Sequence, residues 1–246
     1  MNIFRAVLWS LALVAAPASA QYSGFTNLSI PSMNSFIATQ QLSAQVRMSQ
    51  RALDRVTHAA DSAPQGAAQP APAPAKAPTA TTFRQSGKRL LVQRFSASLS
   101  DDPAEVKELN EAFTAGFKAF EAEAKRLGRP NSVAMALAYL VGVCVMVDSD
   151  HEAPEPALLT LQAKVDAAFG ESPEFRKLTD LEKQKLYEMM VLMATLPLAG
   201  YTVAKEQRDD ELLQLYRSIA ATALEVTLGV RPDRLSFTEN SLELKQ

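Results

Sequence analysis

Two stretches of fifteen residues each, Val133–Val147 and Met189–Val203, carry no charged side chain. A helix built from either has no polar face to give to water, so both must be enclosed by other elements or by lipid. Each is shorter than the roughly 20 apolar residues that span a bilayer, and Pro197 and Gly200 interrupt the second. The stretches therefore predict two central core helices wrapped by amphipathic neighbours. The competing arrangement is a membrane-inserting hairpin of the kind found in pore-forming helical domains.

The neighbours have the required pattern. Asp102 suits an N-cap, Pro103 the first helical position, and Glu105 completes a capping-box spacing. Val106, Leu109, Phe113, Phe117, Phe120, Ala124 and Leu127 then recur at three- and four-residue steps, until Gly128 and Pro130 stop the helix. Asn131 or Ser132 caps the first charge-free run. Pro154 and Pro156 open another helix, with Leu158, Leu161, Val165 and Phe169 facing inward and Gly170 at its end. Ser172-Pro173 begins a short turn or helix. Thr179-x-x-Glu182 is a second capping box, starting a long helix expected to kink at Pro197. Leu212, Tyr216, Ile219, Ala223 and Val226 form the last stripe, which closes at Gly229 with Pro232 beyond. Arg89–Leu99 reads better as helix than as strand, and no alternating segment of useful length stands out. The fold class predicted for residues 83–246 is all-α, five or six helices in bundle-like packing.

Upstream of this domain the composition changes twice. Residues 1–20 have the form of a secretory signal peptide: Arg5, the apolar run Val7–Ala16, then Pro17-Ala18-Ser19-Ala20 before a cleavage point at Gln21. This predicts export to the periplasm or the medium. No cysteine sits at the cleavage point, which argues against a lipid anchor. Residues 21–60 are a polar arm, in which Leu42, Val46, Leu53 and Val56 share one helical face, with Ser49 in the gap. The arm is either an amphipathic helix within Met33–Ala60 or a segment that orders only on contact. Residues 61–82 contain five prolines among alanines. This composition favours extended, semi-rigid chain and reads as a spacer between arm and domain.

Lys and Arg number 25 against 27 acidic residues, a net charge of −2. Without basic blocks, this balance argues against nucleic acid or an anionic membrane surface as partner. A single cysteine, Cys144, excludes an internal disulfide even in an oxidising compartment, so the helical core must hold the fold.

Chemistry-bearing patterns are few. Asp148-Ser149-Asp150-His151-Glu152 is the densest set of potential metal ligands, but it lacks the HExxH spacing and the features of a Ca²⁺ loop. It reads as a solvated helix end. Cys144 lies between Val143 and Val145, an environment for a small hydrophobe rather than a reactive thiol. His58 and His151 are the only histidines, and His58 is on the arm, so a His-based triad would have to use His151. No GxSxG elbow, P-loop or GxGxxG run is present. No catalytic, cofactor-binding or metal residue is assigned, and no cofactor is implied. Gly116, Gly142 and Gly200 lie inside helical patterns, marking either close helix crossings or room for an apolar ligand. Met135, Met146, Met189, Met190 and Met193 are the candidate lining of such a cavity.

Four blocks, Glu121–Leu140, Leu178–Met190, Ala199–Arg217 and Leu228–Phe237, follow one another in an order that resembles a family of exported bacterial proteins classed as a domain of unknown function, mostly proteobacterial. Thr82–Arg89 (TFRQSGKR) is similar to the start of that domain. The resemblance covers about residues 82–240, and implies a helical exported domain without assigned activity.

The expected function is a non-enzymatic protein-interaction module of the cell envelope, whose partner is another envelope or secreted protein. The alternatives are an apolar-ligand or lipid carrier using the bundle interior, and an enzyme with a carboxylate site assembled from distant residues.

Overall fold

A computed structural model describes residues 47–52 and 79–245. Residues 1–20, where a signal peptide is expected, residues 21–46 and 53–60 of the arm and residues 61–78 of the spacer lie outside the described residues.

The described chain is an all-α bundle. Its helices are α1 (Val92–Leu99), α2 (Pro103–Arg126), α3 (Val133–Ser149), α4 (Glu155–Glu171), the single-turn α5 (Pro173–Arg176), α6 (Asp180–Gln207) and α7 (Asp210–Leu228). A further short helical segment lies within residues 47–52. A 3₁₀ turn (Pro232–Arg234) leads into a small antiparallel hairpin, β1 (Leu235–Phe237) with β2 (Leu242–Leu244), in which Leu235 faces Leu244 and Phe237 faces Leu242.

The two charge-free stretches are the centre. Every residue of Val133–Val147 in α3 is buried, and α3 packs against α4, α6 and α7. Helix α6 is long and apolar enough to cross a membrane, yet 94% of its apolar window is buried inside the bundle. It continues through Pro197. Enclosure by neighbouring helices thus meets the demand that the absence of charge imposes, and each fully buried Leu, Val or Met contributes about 1.5–3 kcal/mol.

Helix ends follow local chemistry. The Asp102 carboxylate accepts the Ala104 N–H at 2.8 Å. Glu105 does not close the expected reciprocal box directly; it accepts the Ser100 hydroxyl at 2.6 Å, and Ser100 Oγ in turn accepts the Asp102 N–H at 3.0 Å. Of the two candidate caps for α3, Ser132 is the one used, accepting from Met135 N. Thr179 and Glu182 make the complete capping box of α6. Gly229, at φ 71, closes α7.

Two features depart from the sequence reading. The hairpin has strands of three residues, too short for alternation to show, and is held by Leu235 and Leu242, which are buried. The last residues read as spacer belong to the folded unit: Thr82 bridges Ser132, Val133 N–H donates to Thr81 O, and Phe83 N–H donates to Asn131 O. The hydroxyls of Thr79, Thr81 and Thr82 add hydrogen bonds to this edge.

Candidate functional site

The densest polar network surrounds the lead-in segment, residues 79–91, which runs over α2, α3, α4 and α6. Glu188 of α6 is fully buried, and its Oε2 accepts the Leu90 and Leu91 N–H groups at 2.8 and 2.9 Å. Its Oε1 accepts Gln184 Nε2 at 2.8 Å; Gln184 also donates to Lys88 O and accepts the Ser86 N–H. Nearer the surface, Arg89 pairs with Glu121 at 2.6 Å and lies over the Phe117 ring at 4.2 Å. Burial works against the Arg89 charge, but Glu121 outweighs it and raises the guanidinium further. Gln85 and the Tyr187 hydroxyl donate to the same Glu121 carboxylate. The Tyr187 ring meets Phe83 edge-on at 5.1 Å and sits 5.7 Å from Phe120, and burial keeps its phenol neutral by pushing it up. At the other end, Thr81 donates to Asp166 and shares a hydrogen bond with Ser132, while Lys183 donates to Ala80 O.

This network joins the TFRQSGKR block to the blocks around Glu121 and Tyr187, so the residues carrying the sequence resemblance meet in space. Its chemistry is that of a tie: the carboxylates are saturated by donors from the lead-in backbone, Gln184, Arg89 and Tyr187. Sequence reading missed Gln184, Glu188 and Glu121. The available signal was a polar pair four residues apart, Gln184 and Glu188, on a helix face otherwise apolar.

The cluster at residues 148–152 is the end of α3. Asp150 caps the helix at φ 60, and its carboxylate is held by Lys205 at 2.8 Å and by the Tyr201 hydroxyl. Lys205, then Tyr201, keep the Asp150 carboxyl below its ordinary range. His151 is exposed, and its Nδ1 donates to Ser149 O at 2.6 Å. Among the described residues, no group of three or more His, Cys, Asp or Glu is placed to hold a metal ion. Cys144 is fully buried in α3, where burial pushes its thiol up and away from the thiolate a nucleophile needs. His58 lies outside the described residues.

Gly116 and Gly200 mark close crossings. A Cβ on Gly116 would overlap the Thr195 side chain, and one on Gly200 would fall within the Tyr216 ring. The five methionines at 135, 146, 189, 190 and 193 are buried core. They line neither of the two concavities described next.

One concavity, about 590 Å³, is an open groove along the outer face of α2, with Val106, Asn110 and Ala115 on its floor. The other, about 150 Å³, lies between the arm and the corner where α4 meets α5. Met48, Arg51 and Ala52 form one wall; Ala168, Phe169, Ser172, Pro173 and Glu174 form the other. Met48, Ser49 and Ala52 are buried, whereas Arg47 and Arg51 are exposed. The Gln50 side chain lies against Gly229 at the end of α7. Ala80, on the far side of the spacer, lies beside Gly170 at the same end of α4. The described part of the arm is therefore seated on the domain, where the sequence had placed a spacer to hold the two apart.

No curated protein and no solved structure matches the chain. A family match runs over residues 3–245, wider than the blocks that carry the resemblance, and takes in the arm together with the domain it sits on. The chain belongs to the family of unknown function DUF6683.

Proposed function

We propose that the protein is an exported, non-enzymatic interaction module of the cell envelope, and that it works by gripping helical polypeptide at the α4–α5 corner. The observation that carries this reading is the seat itself: the bundle already holds a helical segment from outside its own helices, with the buried Met48 and Ala52 facing it. The alternative uses of the fold find less support. The methionines fill core, Gly116 and Gly200 admit close helix crossings, and the buried carboxylate of Glu188 is saturated by backbone and amide donors. Export is supported by the signal-peptide pattern of residues 1–20.

Two measurements test the reading. Affinity capture from envelope extracts of the source organism should yield a discrete partner with the full-length chain, in amounts changed by deleting residues 21–60. Capture of nothing beyond background by either form would defeat it. N-terminal sequencing of the mature protein should begin at Gln21; retention of Met1 in a cytoplasmic fraction would remove the export part.

A further inference from the structure

We propose that the α4–α5 corner is a helix-docking site plugged by the chain's own arm, and that its external partner is a short amphipathic helix of the same chemistry as residues 47–52. The proposal rests on the interaction reading above and names the ligand of that site. The occupant defines what the seat accepts. Met48, Ser49 and Ala52 are buried on one side of the segment, and Met48 and Ala52 face the wall formed by Ala168 and Phe169. Arg47 and Arg51 point to solvent, and Arg51 is on the flank nearest Glu174. The Glu174 carboxyl is held below its ordinary range first by its own backbone N–H and the Ser172 hydroxyl, with Arg51 adding to them. A matching partner therefore carries a Met or Leu, small residues one and four positions later, and a basic residue on the Glu174 side.

The plug fits incompletely. About 150 Å³ stays open between arm and corner, so the contact is not closely packed. The arm's advantage is its tether, which supplies an effective concentration on the order of millimolar. A free helix competes successfully once it makes better contacts or the arm is weakened.

The test uses the full chain and a fluorescent synthetic peptide with the sequence of residues 40–58, read by anisotropy. Met48→Asp with Ala52→Asp, which drives the arm from its seat, should bind the peptide at least tenfold more tightly than the wild-type chain. Adding Ala168→Glu to that variant should abolish binding. Equal affinity for wild type and arm variant overturns the proposal, as does binding that Ala168→Glu leaves unchanged. Circular dichroism melting checks that each variant folds. Where the aspartate pair impairs folding, Met48→Ser replaces it, with the same two readings. Peptide binding does not depend on finding an envelope partner, so this proposal and the broader reading fail separately.

Discussion

The Tyr216 ring occupies the place where a side chain on Gly200 would begin, so α6 and α7 meet there through a hydrogen atom only. Gly200→Ala forces the ring or a helix to shift, and overpacking of this kind costs about 1–3 kcal/mol. Urea unfolding should show that loss, and Gly200→Ala combined with Tyr216→Leu should cost less than the two changes added together. Glu188 is the polar counterpart. Glu188→Ala strands the Leu90 and Leu91 N–H groups in the interior and should destabilise by about 3 kcal/mol. Glu188→Gln keeps one acceptor and should cost about half as much. The two sites differ in how far sequence exposes them. A glycine inside a helical stripe announces a close approach without naming its partner. Nothing local to Glu188 says that its ligands are backbone groups almost a hundred positions earlier.

Helix ends were legible where donor and acceptor are neighbours in the chain. Asp102, Ser132 and Thr179 each bond an N–H two or three residues on, and each can be read from its own segment. Helix α1 has no side-chain cap of its own; the N–H groups leading into it are taken by Glu188. That is why Arg89–Leu99 shows no start signal in its own sequence: the information that starts the helix lies on α6. Thr179→Ala tests the readable kind and should cost about 1 kcal/mol in thermal or urea unfolding. The cap also fixes a pH dependence. The Thr179 backbone N–H, then its hydroxyl, hold the Glu182 carboxyl below its ordinary range of about 4.3. A carboxyl depressed in the folded state adds stability that is present above its unfolded value and lost as pH falls through the folded one. Lys205 and Tyr201 depress Asp150 in the same sense at the end of α3. The Asp150 pair is half exposed, so solvent screening limits its worth to about 0.5 kcal/mol. Stability compared between pH 7 and pH 3 should fall less in Thr179→Ala and in Asp150→Asn than in the wild-type chain. An unchanged acid limb in both would contradict these assignments.

The molecule is layered about α3, and the layering has a consequence for how it opens. Val133–Val147 is buried on every side by α4, α6 and α7, so its amide groups reach water only when the bundle comes apart. Residues 47–52 touch the bundle from outside, at the corner of α4 and α5 and beside Gly229. Sequence showed the first of these facts directly, because a helix without charge has to be interior. It could not show the second, because the seat draws on the end of α4, the start of α5 and the Gly229 cap, which only the assembled fold brings together. Native-state hydrogen exchange separates the two levels. Amides from Leu137 to Cys144 should exchange at a rate set by global unfolding, whereas those of residues 47–52 should exchange orders of magnitude sooner. Met48→Ser should speed the arm and leave α3 unchanged when both are followed under identical conditions. Exchange of arm and α3 at one common rate would mean that the arm is part of the cooperative core, a lock on the bundle instead of a plug in its docking site.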